Sequence, residues 1–284
     1  IQSVGDKNES VSYILIDRLV KKDFNEEDIH RISDSVNTAF YEGDGIMLLE
    51  INGKKEFSFS NKFEMDGLED CFFELFPIES IQEFPALIRS HSNLKGLAVT
   101  IPYKETVIPF LQHISNEVQK IGAVNCIKIK NGSLTGYNTD IKGFETSFIP
   151  LLKPHHSKAL VLGTGGASKA VQFILNKLSI PFILVSRIPG IKKSTISYND
   201  VTEALLKEYT IIINCSPVGM GNLNDAKPAI PYQYISSSHY LYDLVYHPTE
   251  TLFLLEGKNK GATIKNGYEM LIIQAEENWR IWNE

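Results

Sequence analysis

Short apolar runs without polar alternation recur through the second half of the chain, at Ala159–Gly163, Phe182–Ser186, Ile211–Cys215 and Tyr240–Val245. Val, Ile and Leu dominate them, and a strand that is apolar on both sides is one covered on both faces. Gly96–Ile101 and Ala123–Lys130 read as two further strands. Between the runs, Ala167–Leu178, Val201–Glu208 and Gly267–Trp282 repeat their apolar residues at helical spacing. This alternation predicts an α/β fold rather than a bundle or a sandwich. The loop Leu152–Ser157, with Pro154 and two histidines, reads as the junction between two α/β units. Residues ahead of about Gly67 read separately, as strand, amphipathic helix (Ile32, Val36, Phe40) and strand.

Composition narrows the function classes. A chain of 284 residues, 43% hydrophobic, is long enough for about two domains. Its formal charge is −6 and no basic run interrupts it, which argues against nucleic acid as a partner. No apolar stretch reaches the roughly 20 residues that cross a bilayer, so no membrane association is expected. With no signal-like start, a cytoplasmic setting is the expectation. Cys71, Cys126 and Cys215 are odd in number, widely spaced and free of any Cys-x-x-Cys pair. Reduced thiols are expected, with no disulfide framework and no metal site.

Chemistry enters at Ala159-Leu-Val-Leu-Gly163-Thr-Gly165-Gly166-Ala-Ser168, an apolar strand, a glycine turn and a helix start. A pyrophosphate rests against the first turn of a helix, where backbone N–H groups lack partners and the dipole favours an anion. Side chains at the turn would hold the phosphate off, hence the glycines. Gly163, Gly165, Gly166 and Ala167 are therefore candidate cofactor contacts. An ordinary tight turn is the plainer alternative. Against it stands the second strand, Phe182–Ser186, which arrives one βα unit later. That strand ends in Ser186-Arg187 rather than in an acid. An acid would bind the ribose 2′-hydroxyl of NAD, whereas arginine suits the 2′-phosphate of NADP. Ser186 and Arg187, with Lys192 and Lys193 nearby, are the 2′-phosphate candidates.

Upstream, Leu97-Ala-Val-Thr-Ile-Pro-Tyr-Lys104 sets a lysine just past a strand, and Gly122-Ala-Val-Asn125 and Gly136-Tyr-Asn-Thr-Asp140 add polar clusters at further strand ends. Such a lysine can pass a proton to an oxygen that gains or loses hydride, with a carboxylate to orient it. Singly, each of these residues is more often a solvated strand end. Together they carry a resemblance. Lys95-Gly-Leu-Ala-Val-Thr-Ile-Pro-Tyr-Lys-Glu105, Ile121-Gly-Ala-Val-Asn125, Gly136-Tyr-Asn-Thr-Asp-Ile-Lys-Gly143 and Leu162-Gly-Thr-Gly-Gly-Ala-Ser-Lys-Ala170 stand in order. Ile213-Asn-Cys-Ser-Pro-Val-Gly-Met220, Tyr242-Asp-Leu-Val-Tyr-His-Pro-Thr-Glu-Thr251 and Asn266-Gly-Tyr-Glu-Met-Leu-Ile-Ile-Gln274 follow. From about Leu68 to the C-terminus the chain closely resembles the shikimate dehydrogenase family.

The resemblance implies a Rossmann-type NADP-binding domain beside an α/β substrate-binding domain, with the site in the cleft between them. It implies reversible reduction of 3-dehydroshikimate to shikimate with NADP as cofactor. Lys104 matches the acid–base group for the C3 oxygen and Asp140 its partner carboxylate. Asn125 and Thr100 match groups that hold ring hydroxyls, and Gln274 matches a glutamine that reaches substrate. Tyr246 falls in the block that lines the cleft, while Met220 and Gly267 fall in blocks near the nicotinamide. Ala98 stands where the family usually carries Asn, which removes an amide's hydrogen bonds close to Lys104.

The front end departs from the family pattern. Ser58 and Ser60 match the Ser-x-Ser pair that binds the substrate carboxylate, but the Gly-x-Pro turn before it is lacking. Residues 1–67 instead resemble an internal stretch of the excinuclease ABC A subunit, without its nucleotide loop or zinc cysteines. The expected division is thus 1–67 as a fused or hybrid segment, 68–145 with 258–284 for substrate, and 146–257 for NADP. Two other readings stand beside the dehydrogenase: an impaired NADP-binding protein that lacks a carboxylate site, and a quinate-using relative. A DNA-repair module is the least supported. A monomer or homodimer is expected.

Overall fold

In the computed structural model two antiparallel strand pairs come first along the chain. β1 (Ser3–Gly5) pairs with β2 (Ser12–Ile14), and β3 (Ile46–Ile51) with β4 (Lys55–Ser60). The structure describes residues 3–5, 12–14, 46–51, 55–60, 74–188 and 195–284. The helix expected around Ile32, Val36 and Phe40 lies outside them, as do Cys71, Lys192 and Lys193. The pairs above belong to one unit, Ile1–Pro77, and the rest of the chain forms another, Ile78–Glu284.

The second unit opens with α1 (Phe84–Ser90) and a small mixed sheet. Its strands are β5 (Gly96–Ala98), β6 (His113–Ile114), β7 (Cys126–Lys130) and β8 (Ser133–Tyr137), in the order β5-β7-β8-β6. β7 and β8 form a hairpin whose two-residue turn is Asn131-Gly132, with φ of 54° and 77°. Two successive positive φ values suit the right-handed twist of a hairpin, and Asn-Gly tolerates them best. α2 (Asn116–Ile121) precedes β7 and is capped by the Ser115 hydroxyl, which accepts from Val118 N. The strands expected over Gly96–Ile101 and Ala123–Lys130 are shorter than the apolar runs. Val99 N turns to Asn125 O and Val124 N to Lys104 O, so both segments leave the ladder to hold each other.

α3 (Asp140–Phe148) then leads to the larger sheet. Its strands are β9 (Ala159–Leu162), β10 (Phe182–Val185), β11 (Thr195–Ile196), β12 (Ile211–Asn214), β13 (Tyr240–Asp243) and β14 (Thr263–Lys265). All pairs are parallel, in the order β11-β10-β9-β12-β13-β14. The order reverses between β9 and β12, the switch point of a doubly wound Rossmann sheet. Every residue of β9, β12 and β13 is buried, which is why their apolar runs do not alternate. β14 lies beyond residue 257, so the parallel sheet reaches almost to the last helix. Around the sheet stand α4 (Gly166–Lys177), α5 (Glu203–Glu208), α6 (Leu252–Asn259) and α7 (Tyr268–Asn283).

Two helices join the sheets. Phe144 and Phe148 of α3 stack at 4.7 Å, and Phe148 lies 5.3 Å from the Tyr240 ring of β13. The Tyr242 hydroxyl meets Ser147 Oγ at 2.7 Å, which satisfies the polar ends inside an apolar layer. α7 returns along α3. A Cβ on Gly143 would stand 2.6 Å from Met270 O, so only glycine lets the two backbones approach this closely. At the far end of α7, Trp282 Nε1 donates to Ile127 O of β7. Among the described residues, no helix is long and apolar enough to cross a membrane.

Phe148 is fully buried between the two layers. Its replacement by Ala should cost about 3–5 kcal/mol of stability through lost burial and the cavity left behind. Urea unfolding of the two proteins measures this, and a change below about 1 kcal/mol would mean that α3 does not pack on the sheet as described.

Candidate active site

Lys104 lies in a turn-rich stretch after β5, and Asp140 is the first residue of α3. Lys104 Nζ donates to Asp140 Oδ2 at 2.7 Å, with the two side chains 13% and 7% exposed. Asn125, just before β7, donates from Nδ2 to Asp140 Oδ1 at 2.9 Å. Both carboxylate oxygens are therefore engaged, one by a cation and one by an amide. Asn125 is held in turn, since its Oδ1 accepts from Thr139 N at 2.7 Å. Thr139 Oγ1 donates to Asn278 Oδ1 at 2.6 Å, and Asn278 Nδ2 donates to Gln274 Oε1 at 3.3 Å. Gln274 Oε1 also lies 3.4 Å from Asn125 Nδ2. Residues from two other motifs, Lys104 and Asn125, thus hold one carboxylate, and Gln274 joins through Asn125.

The phosphate turn reaches the same place. Gly163 has φ 108°, a left-handed value that side chains resist, and a Cβ there would press on Cys215 and Ser216 backbone at 3.2 Å. A Cβ on Gly165 would meet nothing within 4 Å, so the turn faces open space. One on Gly166 would stand 3.1 Å from Lys104 Cβ. The lysine stem therefore lies directly against the start of α4. Gly166 and Ala167 open that helix, where the first amides lack partners within it. An open cradle bounded by such amides fits the pyrophosphate of a dinucleotide.

The other expected residues fall into three groups. Gly267 caps α7, and its N–H donates to Val245 O, one residue before Tyr246. Tyr246 and Met220 are each 45% exposed, and Thr100 is exposed as well. These three stand outside the hydrogen-bonded cluster. Ser186 follows β10 with its N–H on Ile196 O and its hydroxyl accepting from Ile188 N. Arg187 beside it is exposed. Ser58 and Ser60 sit in β4, opposite Leu48 and Ile46, in the first unit. Ala98, where an Asn was expected, is exposed at the end of β5. Lys104 is fixed without that amide, through its carbonyl to Val124 N at 2.7 Å and its ammonium to Asp140.

Three contributors escaped the reading of the sequence. Asn278 lies one helical turn after Gln274, and that polar pair on one face of α7 was the available signal. Lys169 of α4 donates to Gly122 O at 2.9 Å. Asp243 is fully buried at the end of β13. Its Oδ1 accepts from Asn214 Nδ2 and Val245 N, and its Oδ2 from Thr251 Oγ1 at 2.6 Å. Among the described residues, Cys126 and Cys215 are free thiols. Burial pushes the Cys126 thiol up to about 12, which makes it a poor nucleophile.

The family model described as the shikimate dehydrogenase substrate binding domain matches residues 58–127. Its match begins at Ser58, ahead of the Leu68 start read from the motifs. The shikimate dehydrogenase (NADP(+)) of Clostridium botulinum strain Hall is 34% identical over 246 residues, covering 84% of this chain and 95% of that protein. The solved shikimate dehydrogenase of Aquifex aeolicus is 33% identical, with a TM-score of 0.64 over 74% of this chain and 79% of that one. A shikimate 5-dehydrogenase of Thermus thermophilus, solved with NADP(H) and shikimate, is 30% identical, with a TM-score of 0.62 over 72% and 78%.

Burial pushes the Asp243 carboxyl from its ordinary 3.8 up to about 6, against the lowering by its hydrogen bonds to Thr251, Val245 and Asn214. Between those values the folded state holds a proton that the unfolded state has lost. The contribution is therefore fully present at low pH and fades as pH rises through 4 to 6, by up to about 3 kcal/mol. His156, lowered by burial to about 4, gives the opposite slope in an overlapping window. The difference between wild type and Asp243→Asn isolates the carboxyl. Urea midpoints should show the wild type losing stability relative to the variant from pH 4 to 7, and a flat difference would rule out the buried acid as described.

Proposed function

The chain belongs to the shikimate dehydrogenase family, and from that premise we propose that Lys104 and Asp140 carry out proton transfer in NADP-dependent, reversible interconversion of shikimate and 3-dehydroshikimate. The observation that carries the assignment is the contact of the Lys104 stem with Gly166, because it brings the acid–base group to the cofactor turn. NADP, when bound, supplies or accepts the hydride at its nicotinamide ring. Gly163, Gly165, Gly166 and Ala167 would hold its pyrophosphate, with Ser186 and Arg187 at the 2′-phosphate. Met220 and Gly267 would border the nicotinamide.

In the oxidising direction Lys104 Nζ, as the neutral amine, takes the proton of the C3 hydroxyl, and in the reducing direction the ammonium returns one to the carbonyl oxygen. Asp140 keeps the ammonium in place and accepts from a neighbouring ring hydroxyl. Asn125 fixes the carboxylate from its other side, and Gln274 offers a second amide to the ring. Thr100 and Tyr246, both exposed, are free to close on substrate. In this reading the mixed sheet with α7 is the substrate lobe and the parallel sheet the cofactor lobe. A cytoplasmic monomer or homodimer belongs to the same proposal. The impaired-protein alternative is not favoured, since the acid–base pair is formed and a shikimate dehydrogenase (NADP(+)) is 34% identical over 84% of the chain.

Lys104→Ala should lower kcat by about two orders of magnitude or more, with the KM for shikimate comparatively unchanged. NADP reduction followed at saturating shikimate decides it, and near-normal turnover would remove the role. Arg187→Ala should raise the KM for NADP about tenfold or more while leaving that for NAD nearly as it was, since only NADP carries the second phosphate. Equal effects on both would withdraw the 2′-phosphate assignment.

A further inference from the structure

Lys169 lies in α4 one turn after Gly166. Nζ donates to Gly122 O at 2.9 Å and pairs with Glu105 Oε2 at 2.5 Å. The lysine side chain is 17% exposed and that of Glu105 47%. Neither contact belongs to the Lys104–Asp140 network. Both nevertheless land next to it. Glu105 follows Lys104 in the chain, and Gly122 leads into Ala123-Val124-Asn125, where Val124 N holds Lys104 O.

The start of α4 therefore touches the substrate lobe at three points: Gly166 on the Lys104 stem, Lys169 on Glu105, and Lys169 on Gly122 O. A cation that is mostly covered needs partners on more than one side, and it finds all of them in the other lobe. A backbone carbonyl and a carboxylate also fix it from two directions, so it resists sliding as well as separation.

We propose that Lys169 is a positioning residue: its clasp on Glu105 and Gly122 O sets the register between the cofactor turn and the segments that carry Lys104 and Asn125. The inference rests on the dehydrogenase reading of this site. Hydride transfer is steep in donor–acceptor distance, so a loosened clasp slows the chemical step more than it weakens binding. A rival role exists for the same lysine, since the pyrophosphate turn is close. A phosphate ligand would act on cofactor binding and would owe nothing to Glu105.

Lys169→Met, Lys169→Arg and Glu105→Gln separate the two. Three quantities are read: kcat with the KM for NADP, the deuterium isotope effect with shikimate labelled at C3, and backbone hydrogen exchange over residues 103–125 in the ligand-free protein. The clasp predicts that Lys169→Met and Glu105→Gln each lower kcat about tenfold, with the KM for NADP changed less than about threefold. The isotope effect should grow and exchange should quicken in both, while Lys169→Arg stays near wild type. A raised KM for NADP at normal kcat in Lys169→Met, with Glu105→Gln harmless, would overturn the clasp in favour of a phosphate contact. Unchanged kinetics and exchange in both would reduce it to a surface pair. Should Lys169→Met fail to fold, Glu105→Gln carries the same test. A wild type that does not oxidise shikimate would defeat the dehydrogenase reading, whereas the exchange data would still report on the clasp.

Discussion

An ammonium and a carboxylate stand 2.7 Å apart at Lys104 and Asp140, both largely withdrawn from water. Desolvating two charges costs several kcal/mol each, and their attraction offsets this only if the geometry is good and the remaining hydrogen-bonding positions are filled. Asn125 fills the second carboxylate oxygen. Asp140 also opens a helix, where the backbone dipole favours negative charge. Much of the second unit is the apparatus that keeps this pair together.

That apparatus draws on both sheets. α3 bears Asp140 at its first residue and buries Phe144 and Phe148 against Tyr240 and Tyr242 of the parallel sheet. α7 lies along α3, reaches Asn125 through Gln274, and is pinned to β7 by Trp282. Lys104 is tied by its carbonyl to Val124, just ahead of β7, and rests on α4 by its stem. A proton-transfer group held by elements from both layers cannot drift with either one alone. Such support gives a site its precision, because each side chain's freedom is removed by packing before substrate arrives.

Much of this was legible beforehand, for physical reasons. Runs of Ile, Val and Leu without alternation marked β9, β10, β12 and β13 because a doubly covered strand has no polar face. The glycine turn could be read because anion binding at a helix start excludes side chains. Strand limits were less legible. Gly96–Ile101 and Ala123–Lys130 are apolar beyond their ladders, since Val99 and Val124 pair with loop carbonyls instead of strand neighbours. β8 and β14 have no continuous apolar run to mark them, since both mix polar with apolar residues, although Asn131-Gly132 is itself a hairpin signal. Thr100 and Tyr246 resemble the family's contacts, yet hydrogen bonding within the protein does not gather them with Lys104 and Asp140.

By itself the amino-acid sequence determined the α/β class, the Rossmann turn, the candidate acid–base pair and the family, since each depends on residue types at short, fixed spacings. Only the tertiary structure decided which distant groups meet: Gln274 and Asn278 with Asn125 and Thr139, Gly166 with Lys104, Lys169 with Glu105 and Gly122, and Asp243 with Asn214 and Thr251. No local pattern encodes such meetings. They follow from how helices lie across sheets, and that is set by the summed packing of side chains far apart in the chain.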